Sequence, residues 1–271
     1  MLTRRLIRFL LPATQLPQAT NSSTFPKSRT SVSDNSLATR AKAKTISVGD
    51  RGVGVRAVSV TMSLSSDQRS EEGHFKLSES AALVIKKGDI TKWSVDGSSD
   101  AIVNPANERM LGGGGADGAI HRAAGPELRE ACCKVPEVRP EVRCPIGEAR
   151  ITPILCDEHT DIPKLLRGFK LPASHVIHTV GPIYDADSNP EASLRNAYKN
   201  SLSVAKENNI QYIAFTAISC GVYGYPYEEA AAVALSTVKE FANDFKEVHF
   251  VLFSDDIYNV WLNKAKELLK A

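Results

Sequence analysis

The order of strand and helix patterns predicts an α/β domain with helices on both faces of a largely parallel sheet. Short runs rich in Ile, Val and Phe alternate with amphipathic stretches in the C-terminal two thirds of the chain. Such alternation is typical of layered domains in which helices connect parallel strands. With 271 residues, of which 42% are hydrophobic, the chain can bury a core of this kind. No stretch approaches the ~18 uninterrupted apolar residues of a membrane span.

Each element has its own local signal. The strands, enriched in β-branched and aromatic residues, are predicted at 82–86, 100–103, 151–155, 175–180, 212–218 and 248–253. One helix begins at Asn189-Pro190, with Asn as the cap and Pro at the first helical position. The helices are predicted at 116–133, 189–208, 228–245 and 257–269. The proline-rich segment 134–172 is predicted to be mostly loops.

Charge divides the chain into two parts. Residues 1–66 contain ten Lys or Arg and two acids, whereas residues 67–271 contain 23 basic and 29 acidic residues. An Arg-rich, Ser/Thr-rich and acid-poor N-terminus is typical of an organelle transit peptide. We therefore expect a transit peptide or a disordered basic tail over residues 1–75 and one domain over residues 76–271. The destination would be a mitochondrion or a chloroplast, and a shorter cytoplasmic or nuclear form could start at Met62.

Several classes of function are disfavoured by composition. An acidic domain argues against a general nucleic-acid binder, which would carry its basic residues on the domain. The five cysteines form no Cys-x-x-Cys pair, which indicates neither a zinc site nor a disulfide scaffold. We expect no metal, no cofactor, no membrane contact and a monomer.

Four consecutive glycines precede the first predicted helix. Glycines 112–115 are costly in chain entropy unless the backbone must approach something closely. The amide groups at this helix start could bind a phosphate or a sugar oxygen. Asp117 and His121 are four residues apart and share one helical face, where they could hold or deprotonate a water. Alternatively, Asp117 caps the helix and His121 packs in the core.

Three further segments follow predicted strands, where open α/β sheets bind their ligands. Asp89 could accept a hydrogen bond from an exocyclic amine, or could cap a turn with Thr91. Residues 219–226 form a Gly-containing strand-to-helix turn that could bind phosphates through amides. Phe253 could stack on a base, or could pack in the core. Cys220 has no neighbouring base in the sequence and is not expected to be a nucleophile.

Taken together, these segments resemble the macrodomain family, and the Gly-rich one resembles its MacroD-type branch. The matching segments occur in order at 88–91, 101–107, 112–121, 176–182 and 218–226. The resemblance covers residues 82–271 and implies a three-layer α/β/α sandwich around a mixed, mostly parallel sheet, with a cleft for ADP-ribose. The chain departs from the family in having Pro105 where Ala is usual and an apparent insertion at 153–163.

The resemblance also implies a role for each matching position. Asp89 would accept from the adenine amine, Ile90 would contact the ring through its backbone, and Phe253 would stack on it. Asn107 would bind the distal ribose, next to Asp117 and His121, whose equivalents are implicated in hydrolysis. The pyrophosphate would be held by Ser219, Gly221, Val222, Tyr223 and Gly224, with Gly112, Gly113, Gly114 and Gly115 closing the opposite side.

The expected activity is hydrolysis of an ester at the distal ribose of ADP-ribose. The substrate would be mono-ADP-ribose on acidic side chains, O-acetyl-ADP-ribose, or both, with a water positioned by Asp117 and His121. Two alternatives remain: a non-catalytic reader of ADP-ribose, and a phosphatase acting on ADP-ribose 1″-phosphate. A Rossmann dehydrogenase is disfavoured, because the glycines do not open a strand-turn-helix fingerprint with a distal acid.

Overall fold

The computed structural model describes residues 72–152 and 169–269, which form seven strands and five helices. The strands are β1 (Glu72–Lys76), β2 (Ala82–Lys87), β3 (Asp100–Pro105), β4 (Ala149–Ile151), β5 (His175–Thr179), β6 (Tyr212–Phe215) and β7 (Glu247–Leu252). The helices are α1 (Gly115–Ala124), α2 (Pro126–Lys134), α3 (Pro190–Glu207), α4 (Tyr227–Lys239) and α5 (Asp255–Leu268).

All seven strands belong to one mixed sheet with the order β1-β2-β7-β6-β3-β5-β4. The five inner strands pair in parallel, whereas β1 and β4 pair antiparallel at the two edges. The carboxyl ends of the parallel strands therefore lie along one edge of the sheet, which is where open α/β sheets bind ligands.

Alternation along the strands divides the core into two halves. In β3, Ala101 and Val103 pack with the cluster that contains α3, α4 and α5, whereas Ile102 packs with the cluster that contains α1 and α2. Successive side chains of a strand point to opposite faces, so a fully apolar strand requires a layer of helices on each side. This confirms the predicted three-layer α/β/α sandwich around a mixed, mostly parallel sheet.

The first strand was not predicted. β1 begins at Glu72, before the domain start placed at residue 76, and its residues alternate between exposed and half-buried. An edge strand with one exposed face needs few apolar residues, and the sequence Glu-Gly-His-Phe-Lys therefore lacks the hydrophobic run that marks an inner strand.

The predicted helix 116–133 is wrong, because the structure has two helices there. α1 ends at Ala124, and Gly125, with φ of +91°, lies between it and α2. Pro126 occupies the first position of α2, where its missing N–H costs nothing, but it could not continue α1. The Gly125-Pro126 pair therefore ends one helix and begins the next, although the helical pattern of the sequence continues through it.

Other boundaries shifted by a few residues. β6 ends at Phe215 rather than at residue 218, since residues 216–218 leave the sheet to line the cleft described below. α4 ends at Lys239, earlier than the predicted 245, and is followed by turns. β4 ends at Ile151, where the strand predicted at 151–155 begins, and residues 153–155 of that prediction lie outside the described residues.

Three predictions lie largely or wholly outside the described residues. These are the transit peptide over 1–75, the alternative start at Met62 and the insertion at 153–163. Among the helices that the structure describes, none is both long enough and apolar enough to cross a bilayer.

Candidate functional site

A cleft of about 730 Å³ opens at the carboxyl ends of the parallel strands. Its walls come from the segments that follow β2, β3, β6 and β7, which are far apart in the sequence. This volume lies in the range of small-molecule sites, ~300–1,000 Å³. The cleft therefore has the size and the position expected of a ligand site in this fold class.

Most residues that the sequence analysis singled out line this cleft. They are Asp89, Ile90, Asn107, Gly113, Gly114, Gly115, Asp117, Ser219, Gly221, Val222, Tyr223 and Phe253. Three others, Gly112, His121 and Gly224, are not part of its lining. Lining residues that were not predicted from the sequence include Gly181, Thr216 and Tyr227, and Pro105 also lines the cleft.

The Gly-rich segment forms one wall and leads into α1. Gly115, with φ of +56°, begins the helix in a conformation that favours glycine. A Cβ on Gly113 would lie 3.0 Å from Asp117 Oδ2 and 3.2 Å from Asn107 Nδ2. The glycine therefore lets the backbone pass directly beside two polar side chains that face the cleft.

Asn107 is held in place by its own loop. Its Nδ2 donates to the carbonyl of Gly112 at 3.0 Å, and its Oδ1 accepts from the backbone N–H of Arg109 at 3.1 Å. The Glu108 carbonyl accepts from the N–H groups of Arg143 and Cys144 at 2.8 and 3.1 Å, which anchors the loop to the next segment. The Asn107 amide consequently has a defined orientation beside Asp117.

Asp117 is a carboxylate set into the cleft wall and almost removed from water. Its side chain is 6% exposed, and its Oδ1 accepts from Asn104 Nδ2 at 2.8 Å. Burial raises the pKa of this carboxyl, while the Asn104 hydrogen bond and the nearby His121 act in the opposite direction. A raised pKa makes the carboxylate a stronger base, which suits it to accept a proton from water.

His121 lies behind Asp117 rather than in the cleft. Its Nε2 is 3.4 Å from Asp117 Oδ1, and the side chain is 11% exposed. Burial lowers the pKa of the imidazole, against the opposing effect of the Asp117 charge. Its ring packs against Gly112, where a Cβ would lie 3.3 Å from Cγ. The helical spacing thus brought the pair together, but only Asp117 reaches the cleft.

The opposite wall is the turn between β6 and α4. Val222 is fully exposed there, and the Tyr223 carbonyl accepts from the N–H of Tyr184 at 2.9 Å. A Cβ on Gly181 would lie only 2.1 Å from Ser219 Oγ, so this position requires glycine for the wall to close. Among the described residues that line the cleft there is no Lys or Arg. An anionic ligand would therefore be held by backbone amides and the helix N-termini.

The far end of the cleft combines an acid with an exposed aromatic ring. Asp89 Oδ1 accepts from Thr91 N at 3.0 Å and from Thr91 Oγ1 at 2.7 Å, which caps a short 3₁₀ turn. The capping alternative for Asp89 is therefore correct, and it is compatible with a position in the cleft lining. Phe253 is 84% exposed, which excludes the alternative of core packing.

Beneath Asp117 lies a buried cluster that sequence reasoning missed. The ligand-capable atoms of His121, Cys132 and His178 lie within 4.8 Å of one another, close enough to hold a metal ion. However, His178 Nδ1 is 3.1 Å from the amide nitrogen of Asn104, which is a donor. Nδ1 must therefore accept, and in a neutral imidazole the proton then sits on Nε2, the atom that a metal would need. This arrangement disfavours a metal site. The sequence signal that could have indicated this cluster was His178, a polar residue inside the mostly apolar strand β5.

Comparisons with known proteins agree on one family. The family model described as "Macro domain" matches residues 103–155 and 158–234. A macro domain-containing protein of Vibrio parahaemolyticus is 47% identical over 180 residues, which cover 66% of this chain and 95% of that protein. A Klebsiella pneumoniae protein named O-acetyl-ADP-ribose deacetylase is 51% identical over 167 residues, covering 61% of this chain and 84% of that protein.

Solved structures show the same similarity. A macrodomain of Oceanobacillus iheyensis with ADP is 40% identical, with a TM-score of 0.62, and the match covers 73% of this chain and 97% of that one. A Trypanosoma brucei macrodomain in complex with ADP-ribose is 35% identical, with a TM-score of 0.54, and the match covers 68% of each chain. The sheet order, the cleft at its carboxyl edge and these relatives lead to one conclusion: the chain belongs to the macrodomain family.

Proposed function

We propose that this protein binds ADP-ribose in the cleft and hydrolyses an ester at the distal ribose. The substrate would be a mono-ADP-ribosylated acidic side chain, O-acetyl-ADP-ribose, or both, since the two share this ester and the same ADP-ribose half. The observation that carries the proposal is the buried Asp117 carboxylate in the cleft wall, beside Gly113 and Asn107. Support also comes from the relative named O-acetyl-ADP-ribose deacetylase and from the relative in complex with ADP-ribose.

The two ends and the middle of the cleft would each bind a different part of ADP-ribose. Phe253 would stack on adenine, and the carboxylate of Asp89 would accept from its amine. The pyrophosphate would lie between the Gly-rich wall and the 219–223 turn, where the amides at the start of α1 and α4 supply hydrogen bonds. The distal ribose would then lie next to Asn107 and Asp117.

Hydrolysis would depend on the ionised form of the Asp117 carboxylate. The ionised carboxylate would accept a proton from a water as that water attacks the acyl carbon or the anomeric carbon of the ester. The ester bond breaks, and the products are a carboxylate and an ADP-ribose hydroxyl. Such general-base assistance is worth about 10²–10⁴ in rate. His121 would act from behind as a positioning residue, because it does not line the cleft.

The test compares three substrates with the full chain and with Asp117→Ala. The substrates are a protein mono-ADP-ribosylated on Glu or Asp, O-acetyl-ADP-ribose and ADP-ribose 1″-phosphate. We expect release from the two esters by the wild type and not by the variant, while both proteins bind ADP-ribose in calorimetry. Binding without release from any substrate would make the protein a reader, and faster phosphate release would make it a phosphatase.

We also propose that the segment before β1, within the predicted region 1–75, directs import into a mitochondrion or a chloroplast. The support is its composition, with ten basic residues and two acids before residue 67. The test is fluorescence microscopy of the full chain, and of a chain that starts at Met62, each fused at its C-terminus to a fluorescent protein. We expect organelle localisation of the first and a cytoplasmic or nuclear signal from the second. The same distribution of both would refute import.

A further inference from the structure

Two polar side chains lie under the cleft floor without reaching the cleft. Asn104 of β3 and His178 of β5 are fully buried, on adjacent strands and directly opposite each other in register. Both interrupt apolar strands, and neither lines the cleft. Buried polar groups are costly unless they are paired, so their position calls for a reason other than packing.

The Asn104 amide connects the histidine to Asp117. Its Nδ2 lies 2.8 Å from Asp117 Oδ1 and 3.1 Å from His178 Nδ1. An amide nitrogen carries two hydrogens, so one nitrogen can donate to both acceptors. Burial lowers the pKa of His178 to about 3, which leaves the ring neutral, with an accepting Nδ1 and a proton on Nε2. That proton faces Cys132 Sγ, 3.7 Å away.

The Asp117 carboxylate and this tautomer favour the same orientation of the Asn104 amide. If the Asn104 side chain were turned, its oxygen would face the Asp117 carboxylate and the His178 lone pair, and both contacts would become repulsive. A neutral His178 with an accepting Nδ1 thus keeps the amide nitrogen toward Asp117. A donor at hydrogen-bond distance favours the ionised carboxylate, so the Asn104 amide opposes the rise in the pKa of Asp117 that burial causes.

We propose that Asn104 and His178 are positioning residues that hold the Asp117 carboxylate ionised and aimed into the cleft. The inference rests on the proposed hydrolysis, because it assigns these residues to the proton-accepting role of Asp117. It extends the site beneath the cleft to the hydrogen-bonded residues Asp117, Asn104 and His178, which we call the relay. Cys132 lies beside His178 at the end of this relay.

Other titratable groups also face Asp117. They are His121 on the same helix, Cys132 of α2 and Tyr223, each of which interacts electrostatically with Asp117. Of these, His121 has its Nε2 at 3.4 Å from Asp117 Oδ1. A change in the pH dependence of turnover on altering Asn104 or His178, with His121 intact, would therefore be specific to the relay.

The experiment measures kcat against pH for the full chain, with ADP-ribose binding in parallel. Asn104→Leu and His178→Phe should lower kcat at neutral pH about 10²-fold, because the base is misplaced. They should move the acid limb to higher pH by about one unit, because a hydrogen bond to the charged form is lost. ADP-ribose affinity should change little, since neither residue lines the cleft. His178→Asn, which can place an accepting oxygen near the position of Nδ1, should restore part of the rate.

A matched control separates this role from loss of stability. Thr237→Val removes a buried hydroxyl of α4 that bonds the Val233 carbonyl at 2.7 Å, on the other face of the sheet. It should leave kcat and its pH profile unchanged. If Asn104→Leu and His178→Phe also leave both unchanged, the relay is overturned while the hydrolysis stands. If the wild type cleaves neither ester, the proposed function fails and this inference fails with it.

A second measurement uses the wild type alone, so it tests the proposal even if the variants do not fold. Nitrogen-15 chemical shifts of the His178 ring in the wild type should report an unprotonated Nδ1 and a protonated Nε2. The opposite tautomer would place a donor against the Asn104 amide and would overturn the proposal without any variant.

Discussion

The two ends of the cleft differ most in their contact with water. At one end Phe253 is 84% exposed, whereas at the other Asp117 is 4% exposed and hydrogen-bonded to a buried amide. An exposed ring can add binding free energy by stacking on a ligand, but it does not change the ionisation of a neighbouring group. A buried carboxylate gains little as a contact surface but has its pKa raised by burial. This difference supports our proposal that one end of the cleft provides affinity and the other provides catalysis.

The largest expected effect is at the buried end. Asp117→Asn keeps the shape of the side chain and can still accept from Asn104, but it cannot take a proton from water. We expect the turnover of ester substrates to fall by about 10²–10⁴-fold. The affinity for ADP-ribose, measured by calorimetry, should stay within a few-fold of wild type. If this variant keeps wild-type turnover, the proposed separation of a binding end from a catalytic end is wrong.

The exposed end should show the reverse pattern. Phe253→Ala removes the stacking surface, which is worth ~1–3 kcal/mol per base. We expect the dissociation constant of ADP-ribose to rise accordingly, while kcat at saturating substrate stays near wild type. Phe253→Tyr is the control, since it keeps the ring and should keep the affinity. A loss of kcat larger than the loss of affinity would contradict the proposed division.

The wall between the two ends is sensitive to close packing. Gly181→Ala would place a Cβ 2.1 Å from Ser219 Oγ and 2.6 Å from Ile218 Cγ2. Overpacking of this kind costs ~1–3 kcal/mol, which urea unfolding should detect. Gly221→Ala is the matched control, because a Cβ there meets nothing within 4 Å in the described residues. Equal loss of stability in both variants would refute the packing argument.

The buried end should also make the fold sensitive to acid. The pKa of His178 is about 3 in the folded protein and ~6.5 when unfolded, so the unfolded chain takes up a proton first. The stability that depends on neutral His178 is complete above pH ~6.5 and is lost at ~1.4 kcal/mol per pH unit as pH falls toward the folded pKa.

Urea unfolding at about pH 7 and about pH 5 checks this slope. His178→Asn should make the slope shallower, since that variant lacks this titrating ring, while His121, His175 and His249, whose pKa values burial also lowers, still contribute. His74→Asn, in an exposed position of β1, should leave the slope as in wild type. The opposite outcome, with the larger change at His74, would place the acid sensitivity outside the relay.

Local signals in the sequence predicted much of the fold. The inner strands were recognised because strands such as β7 are buried on both faces and are therefore mostly apolar, with His249 as an exception. α3 was recognised from its cap, since Asn189 does accept from the N–H of Ala192. β1 was missed because an edge strand has an exposed face, and the α1–α2 break was missed because Gly125-Pro126 was read within a continuous pattern.

The cleft shows the same distinction. Its binding segments could be predicted, because each one follows a strand and carries glycines or an isolated polar residue. The separate positions of Asp117 and His121 could not be predicted, because a spacing of four residues places two side chains on one helical face but does not say which one faces solvent.

The sequence by itself determined the family, the layered α/β fold and the residues that line most of the cleft. The fold follows from periodicity and turn residues, and the family and the cleft residues follow from the resemblance of the ordered motifs; all of these are local properties of the chain. Only the tertiary structure decided that Phe253 is exposed, that His121 lies behind Asp117, and that Asn104 and His178 lie beneath it. Those relations depend on which strands are neighbours: β3 and β5 pair although about 70 residues separate them, and this pairing places His178 beside the Asn104 amide that donates to Asp117.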